Sequence, residues 1–191
     1  MECRSLWHDN VGYTFDQDSM ASPVFFNTGP VTGNWSAIGT STQPPTTVDL
    51  FSAWIQHRNA STPISYTVFP GLDWATFQSK SASAAPTLRT LRNDGVVSAV
   101  TDDAHGTTMA VFWGAAGGSF QLSPSNTTLA VSANAAVIYN AGTATVTISD
   151  PSQTVTTLNV TISTPKQNRT LTFALPAGPG GNAGQSVTLS L

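Results

Sequence analysis

Thr143-Ala144-Thr145-Val146-Thr147-Ile148 alternates hydroxyl and apolar side chains at every step, and this stretch decides the fold. The same period returns downstream. Leu158, Val160 and Ile162 alternate with Thr157, Asn159 and Thr161; Leu171 and Phe173 alternate with Thr170 and Thr172, and Leu175 follows; Val187, Leu189 and Leu191 alternate with Thr188 and Ser190. A period of two gives a strand one buried and one wet face, the mark of antiparallel sheets. On this count Asn159 faces water. Turn residues punctuate the runs at Asn140-Ala141-Gly142, Asp150-Pro151-Ser152, Thr164-Pro165-Lys166 and Pro176-Ala177-Gly178-Pro179-Gly180-Gly181. Short strands at regular spacing predict a small β-sandwich over 117–191, entered through Gly114-Ala115-Ala116-Gly117-Gly118.

Composition carries the same message to the whole chain of 191 residues. Only 9% of residues are charged, against about 25% in an average soluble domain. Serine and threonine number 21 and 28, so hydroxyls take over the wetting of the surface, while glutamate occurs only at Glu2 and lysine only twice. Helix faces draw on Glu, Lys, Ala and Leu, so the fold class is all-β with antiparallel sheets. Net charge is −3 with seven dispersed basic residues. Binding to nucleic acid needs a basic footprint, so that partner is excluded. No apolar run reaches the ~18 residues that span a bilayer, which predicts no membrane partner. The opening Met1-Glu2-Cys3-Arg4-Ser5-Leu6-Trp7-His8-Asp9 lacks the apolar core of a signal peptide.

Cys3 is the only cysteine, so no disulfide forms within the chain. Five Asn-x-Ser/Thr sequons begin at Asn34, Asn59, Asn126, Asn159 and Asn168. Together these features suggest an extracellular glycoprotein whose leader lies outside this sequence.

Residues 1–116 have a different texture. They hold all five tryptophans (Trp7, Trp35, Trp54, Trp74, Trp113) and all three histidines. Strands are expected over Val11–Phe15, Val24–Asn27, Val48–His57, Ile64–Phe69, Val96–Val100 and Met109–Trp113. Asp73 is placed to cap a short helix reaching about Ser81, with an exposed connection over 79–86. No internal repeat is present.

Candidate chemistry is sparse. There is no Gly-x-Ser-x-Gly elbow, and Cys3 sits at a terminus without enclosure. Asp102, Asp103 and His105 form the one tight group with metal-ligand chemistry, but Thr101-Asp102-Asp103-Ala104-His105-Gly106 also suits a turn for backbone reasons alone. Asp16 and Asp18 have the opening spacing of a calcium loop with none of its later ligands. No carboxylate pair for glycoside hydrolysis can be picked from nine Asp and one Glu. Trp7, Trp35, Trp54 and Trp74 suit stacking on sugar rings, although most large aromatics of a β-rich chain are expected in its core. His57 ends a strand-like run and suits a structural hydrogen bond.

A series of segments resembles the distal part of family eight polysaccharide lyases, the hyaluronate, chondroitin and xanthan lyases. The segments are Trp7–Phe15 (WHDNVGYTF), Gly33–Ile38 (GNWSAI), Trp54–His57 (WIQH), Ile64–Gly71 (ISYTVFPG) and Leu91–Val100 (LRNDGVVSAV). Leu129-Ala130-Val131-Ser132 and Ile148-Ser149-Asp150-Pro151 extend the match weakly toward the C-terminus. The resemblance implies that 1–116 is the end of a central β super-sandwich and 117–191 a C-terminal β-sandwich. It implies further that an α/α toroid outside this sequence carries the β-elimination at a uronic acid, using Asn, His, Tyr and Arg.

None of those motif positions lies here, so no catalytic, cofactor-binding or metal-binding residue is carried over and no cofactor is expected. His8 and Tyr13 match a base and an acid by type, but the matching segment is a sheet strand away from the family's cleft. The implied partner is an acidic, uronic-acid-containing polysaccharide. An acidic chain does not supply the positive groove that such a polymer needs. The expected role is therefore structural support within an extracellular lyase, the chain being a truncated portion inactive by itself. A free-standing carbohydrate-binding β-sandwich is the alternative. Of the two parts, 117–191 is expected to fold alone, and 1–116 to associate through unpaired strand edges.

Overall fold

The computed structural model describes residues 4–15, 23–57, 59, 61–82, 88–122, 125–176, 178 and 182–191. Cys3, Asp16 and Asp18, and 83–86 of the expected connection, lie outside the described residues. The chain forms two compact units, Met1–Phe77 and Gln78–Leu191.

In the first unit, β1 (Ser5–His8) and β2 (Val11–Phe15) form a hairpin, and β5 (Tyr66–Pro70) adds antiparallel to β2. Asp9 and Asn10 make the two-residue turn with φ of 46° and 61°, the left-handed values that suit the right-handed twist of paired strands. β3 (Val24–Gly33) and β4 (Thr46–Ile55) form a separate ribbon of ten register pairs. β3 runs beyond the expected Val24–Asn27, and β4 begins and ends two residues before the expected Val48–His57; at the Thr46 end of the ribbon Thr32 and Thr47 continue the ladder with a hydroxyl pair at 2.7 Å.

The helix capped by Asp73 is α1 (Trp74–Ser81). Asp73 Oδ1 accepts from the Thr76 amide at 2.7 Å, and this bond leads the causes holding the carboxyl below its ordinary pKa. Phe77 is fully buried, edge-on to Phe69 with ring centroids 5.8 Å apart. Its ring lies directly on Gly12, where an added Cβ would come within 2.8 Å of Phe77 Cγ and nearer still to Cδ2 and Cε2.

The second unit is a sandwich. Six strands pair in the order β15-β12-β11-β8-β7-β6: β6 is Leu88–Asn93, β7 Val97–Asp102, β8 Thr107–Phe112, β11 Ala135–Asn140, β12 Thr145–Ser149 and β15 Val187–Ser190. Four pair in the order β14-β13-β10-β9: β9 is Gly118–Leu122, β10 Thr127–Val131, β13 Thr157–Ser163 and β14 Asn168–Ala174. Inward residues of both sheets make one core, with Phe112, Leu129, Ile148, Leu158 and Phe173 almost wholly buried. The alternating runs read from the sequence point their apolar members into this core or against it, except Ala144, which is exposed in the turn before β12 at φ 51°.

The boundary at 117 is corrected by the pairing. β8 is hydrogen-bonded to β11 over six register pairs, from Ala135↔Phe112 to Asn140↔Thr107. Residues 88–112 therefore belong to the terminal sandwich, and the division falls between Phe77 and Gln78. A glycine-rich run marks a change of sheet as readily as a change of domain, and here it carries the chain from β8 to β9 across the sandwich.

That crossing fixes one glycine. Gly117 has φ of +70°, and a Cβ there would meet Val131 O, with Ala133 N at 2.7 Å and Val131 C at 2.8 Å. These are backbone atoms of a neighbouring crossing and cannot rotate away. Gly117→Ala is expected to destabilise the second unit by about 2–4 kcal/mol, combining the left-handed penalty with strain. Urea denaturation checks this; an unchanged midpoint would show that the crossing yields.

Candidate functional site

The sandwich presents two unlike outer faces. On the four-stranded sheet the outward residues are mainly hydroxyls and amides, including Gln121, Asn159, Thr161, Thr170 and Thr172, with Ala130 and Ala174 among them. Thr161 and Thr170 pair their hydroxyls at 3.0 Å, and Thr172 donates to Asn159 Oδ1 at 2.8 Å.

On the six-stranded sheet an apolar stripe runs across the strands. Val100, Met109 and Ile138 stand in register and are 38%, 41% and 45% exposed. The row continues into Thr147 and Thr188, whose hydroxyls lie 2.8 Å apart. The stripe floors an open groove of about 350 Å³ that is also lined by Ser98 and Ser149. Trp113 follows β8 and donates its indole N–H to Ser98 Oγ at 3.1 Å, leaving the indole 60% exposed beside the groove. Aliphatic floor, exposed indole and hydroxyl walls suit a ligand with both C–H and O–H surfaces.

The Asp102-Asp103-His105 group is a turn. His105 Nδ1 lies 2.6 Å from Asp102 Oδ2, and Asp102 Oδ1 accepts from the Ala104 amide at 3.0 Å. The His105 bond leads the causes lowering the Asp102 pKa. Asp103 is engaged elsewhere, in a bidentate pair with Arg89 at 2.6 and 2.9 Å that lowers its own pKa. Among the described residues no three His, Cys, Asp or Glu side chains gather as metal ligands.

Arg92 is likewise engaged, 2.5 Å from Asp94 and 2.6 Å from the Ser119 carbonyl. The Asp94 carboxyl is lowered first by the Val97 amide and then by Arg92. These two arginines are fastened to local carboxylates.

His8 and Tyr13 stand on neighbouring strands, in the pairs His8↔Val11 and Leu6↔Tyr13. The His8 ring stacks flat on Phe51, with centroids 4.2 Å apart and planes 8° apart. His57 is exposed, two residues past the end of β4.

The tryptophans are mostly outside the core, contrary to the sequence expectation. Trp35, Trp54, Trp74 and Trp113 are 65%, 49%, 49% and 60% exposed. Only Trp7 is half-buried, donating to the Leu72 carbonyl at 2.8 Å and lying edge-on to Trp74. In the first unit the reason is architectural: a two-stranded ribbon has too little sheet to enclose its side chains, so Trp54 stacks on Phe25 at 5.9 Å in the open. The groove itself was not legible. Its signal was the apolar residues on the wet register of β7, β8 and β11.

Two family models match: the polysaccharide lyase family 8 super-sandwich domain over residues 1–81, and the C-terminal β-sandwich domain of the same family over 89–159. The first match ends at residue 81, just past the division at Phe77/Gln78, and the second begins at residue 89. No curated protein matches the chain.

Among solved structures, a chondroitinase AC lyase studied in oligosaccharide complexes superimposes with a TM-score of 0.80 at 21% identity, over 98% of this chain and 27% of that one. A Paenibacillus xanthan lyase gives 0.63 at 19% identity, over 80% and 14%. A Streptomyces coelicolor chondroitin AC lyase variant gives 0.61 at 20%, over 96% and 26%. These identities establish likeness of fold. The chain spans at most about a quarter of the length of these lyases. Two matched domains of one family, on a backbone of which 98% superimposes on part of a solved lyase, place this chain in polysaccharide lyase family 8, in its super-sandwich and C-terminal β-sandwich part.

Proposed function

We propose that these residues are the non-catalytic scaffold of an extracellular lyase that cleaves an acidic, uronic-acid-containing polysaccharide by β-elimination. The observation carrying this reading is the superposition on chondroitinase AC, which takes in nearly all of this chain and about a quarter of that one. Electrostatics supports it: the net charge is −3, and Arg89 and Arg92 are tied to Asp103 and Asp94. Neutralising a uronate carboxylate requires positive charge aimed at it, which belongs to other parts of such an enzyme. The sheets contribute a rigid support against which a helical domain can hold its cleft.

The isolated chain is expected to give no unsaturated-uronide absorbance on hyaluronan, chondroitin or xanthan. Sustained turnover that survives repurification would overturn the reading.

The groove beside Trp113 favours a second reading, a carbohydrate-binding surface. Titration of the same polymers against tryptophan fluorescence separates the two. A pure support gives no saturable change; a saturable change abolished by Trp113→Ala assigns sugar binding to the groove.

A further inference from the structure

We propose that Asn34 and Asn159 are acceptors of N-linked oligosaccharide, one on each unit of the chain. The fold separates its half-buried asparagines from those of the five sequons. Asn93, Asn134 and Asn140 are half-buried and belong to no sequon; each is spent on the fold. Asn93 accepts from Ser98 Oγ at 3.1 Å, Asn134 donates to Asp150 at 3.0 Å, and Asn140 donates to Thr107 Oγ1 at 3.0 Å. All five sequon asparagines are exposed, so a bulky substituent on any of them meets solvent.

Geometry speaks for Asn34 and Asn159 and against Asn126. Asn34 opens the exposed turn between β3 and β4, where residues 34–40 all face water. Its Oδ1 accepts from the Ser36 amide at 3.0 Å and the Ser36 hydroxyl at 2.7 Å. The sequon hydroxyl is thus already seated on the amide it must assist. Asn159 stands on the uncharged hydroxyl face of the four-stranded sheet, and a strand's period of two places its sequon hydroxyl, Thr161, on the same face. A glycan on Asn34 would also cover Trp35 and Ile38, 65% and 79% exposed, the kind of apolar surface that favours association. Asn126, by contrast, sits at φ 47° in the tight turn before β10, with Thr127 beside it buried.

The donor class is an oligosaccharide on a polyisoprenyl pyrophosphate, presented by a secretory-pathway transferase. The asparagine amide nitrogen attacks the anomeric carbon and a C–N bond forms. The C–O bond to pyrophosphate breaks and the lipid pyrophosphate leaves. A carboxylate of the transferase takes the amide proton.

To test this, the full chain is secreted from a eukaryotic cell line behind a cleavable leader, with an added reporter sequon on a C-terminal tail. Glycans are released by amidase in heavy-oxygen water and the converted asparagines mapped by mass spectrometry. Occupancy is expected in most molecules at Asn34 and Asn159, and its loss at one site each in Ser36→Ala and Thr161→Val. An occupied reporter with Asn34 and Asn159 unmodified would overturn the proposal. So would modification that persists at Asn34 in Ser36→Ala and at Asn159 in Thr161→Val. The readout is independent of lyase activity.

Discussion

A chain started at Gly117 is expected to show no cooperative melting, whereas one started at Gln78 melts in a single transition. Starting at Gly117 removes β6, β7 and β8, half of the six-stranded sheet. It takes Val97, Ala99, Ala110 and Phe112 out of the core and leaves β11 with an unpaired edge. Burying a Val or Phe side chain contributes about 1.5–3 kcal/mol, so these four represent on the order of 5 kcal/mol before lost pairing is counted. That approaches the whole of a typical domain's stability of about 5–15 kcal/mol. The exposed β11 edge then becomes a template for aggregation. Thermal unfolding followed by near-ultraviolet circular dichroism reads the difference directly. A two-state melt from the shorter chain would mean that the sandwich closes without β6, β7 and β8.

Asp150→Ala is expected to cost the second unit about 3 kcal/mol, through buried donors left without an acceptor. Asp150 is 2% exposed at the crossing from β12 to β13. Its carboxylate accepts from the amides of Ser152, Thr154 and Val155 at 2.8, 2.7 and 2.6 Å. It accepts as well from Ser152 Oγ at 2.6 Å and Asn134 Nδ2 at 3.0 Å. Asn134 lies on the crossing from β10 to β11, so one carboxylate ties two crossings together. The adjoining Ser149 hydroxyl bonds the Gly184 carbonyl, bringing in the segment before β15.

Burial alone would raise the Asp150 pKa, but the donors, Ser152 foremost, outweigh it and the net shift is downward. The sign follows from linkage. With the folded value below the unfolded value of about 3.9, the unfolded chain binds more protons in that range. The stabilisation is complete above about pH 5 and is lost as pH falls through the folded value. Asp150→Asn keeps the shape but not the charge, so its stability should fall less steeply than wild type from pH 5 to pH 2.5. Parallel acid limbs would assign the acid sensitivity to other carboxylates.

Much of the sandwich was legible because its strands are half-buried and antiparallel, so each face is written in alternate letters. Val146 and Ile148, or Leu158, Val160 and Ile162, point to the core for the reason their spacing gives. Asp73 as a helix cap was legible because capping is local chemistry. The start of the sandwich was not, because Gly114 to Gly118 read identically whether a chain changes domain or only changes sheet. The tryptophans misled for a related reason: burial depends on a second layer, and the ribbon of β3 and β4 is narrow where the sandwich is two sheets deep.

Taken by itself, the order of residues determined an all-β chain, its strand faces, its turns and its likeness to a family, since all of these depend on neighbours within a few positions. Tertiary structure alone decided that β8 lies beside β11, that Asp150 gathers donors from two crossings, and that Val100, Met109 and Ile138 meet in one groove. Those pairings join residues tens of positions apart. Which strand lies beside which is fixed by the burial of the whole core, and no local window contains that information.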